Sequence, residues 1–205
     1  EYSSQFFASD EFIRRHLEIL NHNPTNTHIV RKFNDYMIYK TNLNKDFYET
    51  FVLNPAGIIA ASSNENNIGK IEFGVDYFTY GKEGPYVKDV YMDENTGEYS
   101  LAFAAPILKK RSEKFLGVLV IRFNANKLNE ITTGKRSGIK EDTGTFLRRG
   151  KTSEAYIVNK NFQLITGSRF KEEAILSQLV NTEPVAAALH SGKEVVGVYK
   201  NYMGR

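Results

Sequence analysis

Apolar side chains at Phe6, Ile13, Leu17 and Leu20 recur at helical spacing and predict an amphipathic helix over residues 1 to about 22. Asn21-His22-Asn23-Pro24-Thr25-Asn26 breaks that pattern, and Val30, Phe33, Tyr36, Met37 and Ile38 predict a second helix ending near Asn42. From Phe47 the pattern changes to short β-prone runs over 47–54, 57–62, 86–92, 99–105 and 116–123, separated by turn-rich stretches. Five such strands, with an insertion between the second and third, predict an antiparallel sheet flanked by helices in an α+β fold. Asn54-Pro55-Ala56-Gly57 fits a type I turn, and Asp93-Glu94-Asn95-Thr96-Gly97 closes a hairpin between the third and fourth strands. Residues 124–151 read as a helix start followed by a Gly- and charge-rich connector. Further helices are predicted around Glu172 to Leu179 and Pro184 to His190.

One strand-and-turn phrase is written twice, from Phe51 to Ser63 (FVLNPAGIIAASS) and from Tyr156 to Ser168 (YIVNKNFQLITGS). Each copy has a β-rich run, a polar turn opened by Asn, a second apolar run and a small polar close, the signature of a hairpin. The copies stand much farther apart than solenoid repeats do, which predicts two similar modules in tandem.

With 205 residues, 41% of them apolar, and with 12 Tyr and 14 Phe, the chain can build real cores. Its 27 basic and 24 acidic residues are mixed along the sequence and leave a net charge of +3, so nothing marks a nucleic-acid footprint or a polybasic membrane patch. The densest cluster, Leu108-Lys109-Lys110-Arg111-Ser112-Glu113-Lys114, lies between two apolar runs and reads as a solvated hairpin loop. A phosphate site there would need more basic residues converging on one face. The absence of Cys excludes disulfides, thiolate metal sites and cysteine nucleophiles. No run of 18 apolar residues occurs, so no membrane span is expected within these residues. The chain begins at Glu1 and stops in a strand- or turn-like stretch, which reads as a piece of something longer.

The His residues at 16, 22, 28 and 190 form no HExxH pattern and have no carboxylate at ligand spacing, so neither a metal nor another cofactor is expected. The stretch Asp93 to Gly97 lacks the spacing of a calcium loop and reads as a turn. No Gly-x-Ser-x-Gly elbow and no phosphate-cradling glycine loop occurs, and no enzymatic activity is expected of this chain.

Ile68-Gly69-Lys70, Asp76-Tyr77-Phe78, Gly84-Pro85-Tyr86-Val87, Asp89-Val90-Tyr91, Thr96-Gly97, Ala105-Pro106-Ile107, and Gly117-Val118 followed by a strand into Leu128 resemble, in order and spacing, the double Cache family. Its members are tandem PAS-like extracytoplasmic sensor domains of bacterial and archaeal histidine kinases, chemoreceptors and cyclic-dinucleotide enzymes. The resemblance covers roughly residues 1 to 200 and rests on the chain of short motifs, none decisive alone. It implies long N-terminal signalling helices (1–44), a membrane-distal PAS-like module (45–130), a connector (131–150) and a membrane-proximal module (151–205) that is cut short. Each module would carry a five-stranded antiparallel sheet flanked by helices. Flanking membrane spans would lie outside these residues, and the N-terminal helix would offer a homodimer contact.

Alternation along strands places Asp89, Tyr91 and Asp93 on one face of the third strand, Ser100, Ala102 and Ala104 on one face of the fourth, and Val118, Val120 and Arg122 on one face of the fifth. The small residues leave volume for a ligand, with Tyr77, Phe78 and Tyr86 covering it; the competing reading is plain core. The amino-acid-binding branch of the family places an Arg before the aromatic pair and an Asp in the fifth strand. This chain keeps that branch's Tyr91 and Asp93 but has Val75 and Arg122 at those two places, which disfavours an α-amino acid in the usual orientation. Arg122, in the apolar run Gly117 to Phe123, has three readings: a bidentate clamp for a ligand carboxylate, an internal partner of Asp89 or Asp93, or a strand end reaching solvent. The first makes a small organic acid the expected ligand, and an Arg122→Ala variant would then lose binding and keep its fold. The rival function is an interaction module that docks a periplasmic binding protein or partner receptor.

Overall fold

The computed structural model describes residues 8–94, 96–133 and 153–204. The chain divides into two compact units, Glu1–Asn124 and Ala125–Arg205. Phe6 and nearly all of the expected connector lie outside the described residues.

Among the described residues of the N-terminal region, two helices precede the first strand, as the apolar periods predict. Helix α1 spans Glu11–His22 and starts where the Asp10 carboxylate accepts the Phe12 N–H. It ends before Pro24, and α2 spans Thr27–Asn42 with Asn26 as its cap, accepting the Ile29 N–H. Both bury one stripe: Ile13, Leu17 and Leu20 from α1, Phe33 and Met37 from α2.

The strands are β1 (Phe47–Leu53), β2 (Ile59–Ser62), β3 (Tyr86–Asp93), β4 (Glu98–Leu108) and β5 (Phe115–Asn124). They form one antiparallel sheet in the order β2-β1-β5-β4-β3. The two helices cover one face, where Ile13, Leu17, Phe33 and Met37 pack on Val52, Ala105, Leu119 and Ile121. The insertion between β2 and β3, with a 3₁₀ turn at Glu65–Asn67 and a short helix α3 at Asp76–Thr79, brings Tyr77 and Phe78 onto the other face. There they pack with Phe51, Leu53, Ala102, Ala104, Val118 and Val120.

Register shifts occur in all four strand pairs, and two of them, in β1 and β3, decide which side chains reach the site. In β1 the register passes from Phe47↔Phe123 directly to Glu49↔Arg122, so Tyr48 and Glu49 together oppose one residue of β5. In β3 it passes from Lys88↔Ala102 to Tyr91↔Ser100, with Asp89 and Val90 against the single residue Leu101.

The second unit holds α4 (Asn126–Thr133) and α5 (Glu183–Ser191), the latter close to its expected position. The helix expected around Glu172 to Leu179 is absent. Glu173 and Leu176 both have left-handed φ (49° and 61°), and the Leu176 and Val180 N–H groups donate to Leu164 and Phe162 carbonyls instead of along a helix. The repeated phrase folds into the same turn in each unit. Asn54 Oδ1 accepts the N–H groups of Ala56 (2.9 Å) and Ile58 (3.0 Å), and Asn159 Oδ1 accepts those of Asn161 (2.9 Å) and Gln163 (3.0 Å). Beyond the turn, the second copy continues only as the bridge Val158↔Leu164, against the full β1–β2 pairing of the first.

Candidate functional site

The β1 bulge aims Glu49 at Arg122 from the neighbouring strand. Arg122 is 4% exposed and Glu49 2%, so two opposite charges meet in a nearly dry setting. Arg122 Nη1 donates to Glu49 Oε2 at 2.8 Å, and Nη2 donates to the Tyr77 hydroxyl at 2.9 Å. Two further carboxylates stand near the guanidinium, Asp93 at 3.6 Å and Glu72 at 3.7 Å. The Phe51 ring lies 4.8 Å from the guanidinium carbon. The other Glu49 oxygen accepts from Asn67 Nδ2 (2.6 Å) and the Ser62 hydroxyl (2.8 Å). Tyr48 donates its hydroxyl to Asp93 at 2.7 Å. Burial drives the Tyr48 and Tyr77 phenols well above the ordinary tyrosine range, so both stay neutral donors and acceptors.

This network floors a cavity of about 260 Å³ walled by Tyr48, Glu49, Asn64, Asn67, Lys70 and Asp93. Asn64, Asn66 and Thr96 stand at its exposed edge. Acids and bases both face it, together with several amides, a lining that suits a small polar molecule. Lys70 Nζ donates to Asn67 Oδ1 at 2.6 Å, which connects the wall to the Glu49–Arg122 pair.

Among the residues expected at the site, Tyr77, Asp93 and Arg122 are brought together. Tyr91 and Ser100 face each other in register on the same side of the sheet, and Ala102 is opposite Arg122. Ala102 and Ala104 are fully buried, and the volume they leave is taken by Tyr77 and Phe78 in a packed cluster, so the cavity lies farther along the sheet than expected. Tyr86 is half-buried beside Tyr80, with ring centroids 5.0 Å apart. Asp89 is exposed, and it leaves the face of Tyr91 and Asp93 because the β3 bulge inserts a residue between them. The bulge puts Lys88 on the inner face instead, its ammonium 4.5 Å from the Tyr91 ring centroid. Arg122 therefore pairs internally, chiefly with Glu49, which the sequence reading missed along with Tyr48, Asn67, Lys70 and Glu72. A lone Glu within the apolar run 47–53 was the available signal.

No helix among the described residues is long and apolar enough to cross a membrane, and no group of three or more acidic or His side chains among them could hold a metal ion.

No protein-family model and no curated protein matches the chain. Solved structures do. The sensor domain of the V. cholerae histidine kinase DctB is similar with a TM-score of 0.67 and 15% identity, over 90% of this chain and 64% of that one. The sensory domain of the Campylobacter jejuni chemoreceptor Tlp3 is similar with a TM-score of 0.57 and 14% identity, over 91% of this chain and 67% of that one. The ligand-binding domain of the same receptor in complex with 4-methylisoleucine is similar with a TM-score of 0.55 and 12% identity, over 86% and 66%. The chain thus spans just under two thirds of the DctB sensor domain. At these identities the likeness is one of fold, the PAS-like α+β fold of histidine kinase and chemoreceptor sensor domains.

Proposed function

We propose that this chain is the extracytoplasmic ligand-sensing region of a transmembrane signal-transduction receptor, a sensor histidine kinase in first place, and that it binds rather than transforms its ligand. The observation that carries this reading is the polar cavity floored by the buried Glu49–Arg122 pair, on a sheet face of a sensor-type fold. The ligand is a small polar molecule. A carboxylate held by Arg122 is disfavoured, since both amino groups of the guanidinium already have partners and an incoming acid would stand beside Glu49, Asp93 and Glu72. Binding is read out as a shift between two arrangements of the sheet and its covering helices, to which the ligand binds with different affinity. The matching Asn54 and Asn159 turns support two tandem modules, 45–130 and 151–205, behind the helices of 1–44, with 131–150 as the connector. A homodimer through the N-terminal helices belongs to the same reading.

A thermal-shift panel of amino acids, amines, polyols and organic acids tests the proposal, with Thr96→Trp as the blocking variant because Thr96 is exposed at the cavity edge and outside the network. A compound at roughly 100 times its dissociation constant stabilises by about 2.7 kcal/mol, and this gain should vanish in Thr96→Trp. A gain undiminished by the blocking residue would place binding elsewhere. The docking role has its own support in the exposed apolar residues of the second unit, Leu179, Leu189, Val196, Val198 and Met203. A panel without any hit would shift weight to it.

A further inference from the structure

The basic hairpin between β4 and β5 does not stand alone. Its strand ends are held by the Lys109 N–H donating to the Lys114 carbonyl at 2.8 Å, and Arg111 and Glu113 within it both adopt left-handed φ, 73° and 53°. Helix α1 is tied to its base, since Asn21 Nδ2 donates to the Leu116 carbonyl at 2.8 Å. That attachment brings Arg14 and Arg15 of α1 to the same hollow as Lys109 and Lys110, a depression of about 160 Å³ with Leu116 in its lining. Two acids share the lining. Glu18 is engaged by Lys109, and Glu11, 70% exposed, reaches Arg14 only at 3.8 Å. Four cations against two anions leave the hollow positive. Arg14 Nε is buried without a hydrogen-bond partner, on a side chain that is 22% exposed. A buried guanidinium N–H without an acceptor costs free energy that an incoming oxyanion would recover.

We infer that the hollow between α1 and the β4–β5 hairpin binds a phosphate group through Arg14, Arg15, Lys109 and Lys110. This site is separate from the cavity over Arg122, with which it shares no lining residue. Arg supplies the planar fork that matches a tetrahedral oxyanion, and the lysines add point charges at the rim. The phosphate is either a free ion or part of an anionic lipid headgroup, and the chemistry of recognition is the same for both.

The test titrates the 205-residue chain with inorganic phosphate at constant ionic strength, sodium chloride making up the balance, and follows the melting temperature. A saturable rise with phosphate but not with chloride is expected. Arg15→Gln combined with Lys110→Gln removes two exposed cations of the hollow, and should weaken binding about tenfold for each cation removed. Arg31→Gln combined with Lys32→Gln removes two exposed cations elsewhere, on α2, and should change nothing. A phosphate response no larger than that of chloride, or an equal loss in the two double variants, overturns the site. Sedimentation with phosphatidylglycerol vesicles that free phosphate competes away assigns the ligand to a lipid. Phosphate binding without sedimentation assigns it to the free ion.

Discussion

Removing the guanidinium at position 122 would leave Glu49 and Asp93, each 3% exposed at the side chain, buried beside one another without their cation. Breaking one partner out of a buried charge pair typically costs about 3–5 kcal/mol, because the remaining charge keeps its desolvation penalty. Arg122→Ala should therefore lower the urea midpoint strongly, the reverse of a binding-only effect, and a midpoint equal to the parent's would contradict the assigned pairing. Gly57 is constrained by its surroundings. Its φ is +72°, and a Cβ there would sit 2.6 Å from the Phe73 Cα. Gly57→Ala should cost about 1–3 kcal/mol or more by the same denaturation assay. Phe162 takes the matching position in the second turn at φ 62°, so the left-handed turn itself admits a side chain. At this scale the sequence was legible where a residue acts on its own backbone, as Asn54 does. It was illegible where a bulge decides direction: Glu49 looked like an interruption of an apolar strand, and Asp89 looked inward.

Helices α1 and α2 are joined by a polar clasp rather than by apolar contact alone. Asp10, the α1 cap, accepts from the Tyr36 hydroxyl at 2.6 Å and pairs with Lys40 at 2.9 Å. Burial works against the Asp10 charge, but the hydrogen bonds from Tyr36, Lys40 and the Phe12 N–H outweigh it and hold the carboxyl below its ordinary value of 3.8. A carboxyl whose folded pKa is depressed contributes stability above its unfolded pKa, and that contribution is lost as pH falls through the folded value. Melting temperature should thus fall on acidification below about pH 4, and Asp10→Asn, already lacking the charge, should show a shallower acid limb. An equally steep limb in Asp10→Asn would remove the clasp from the account. Strands and the first two helices were readable because their apolar periods are long and clean. The stretch Glu172 to Leu179 carried a helix-like composition, yet its backbone is drawn into hydrogen bonds with Phe162 and Leu164, a tertiary demand that local pattern does not contain.

For the molecule as a whole, the sheet separates two jobs. One face is closed by α1 and α2 in an apolar layer, while the other is packed at one end by Tyr77 and Phe78 and opens at the other over Arg122. A ligand at the open end would bear on β1, β3 and β5 at once, through Glu49, Asp93 and Arg122, and β1 and β5 are strands against which α1 and α2 rest. The overall fold class could be read from five short strands behind two helices, and the resemblance to sensor domains followed from motif order. The cavity could not, because it is assembled by two bulges and by the turn at Glu65–Asn67. The most direct test of the central claim is to map a stabilising compound from the ligand panel by amide chemical-shift perturbation on the labelled chain. The largest shifts should cluster at residues 48–49, 64–70, 93 and 122. Shifts centred anywhere else, with those positions unmoved, would contradict it.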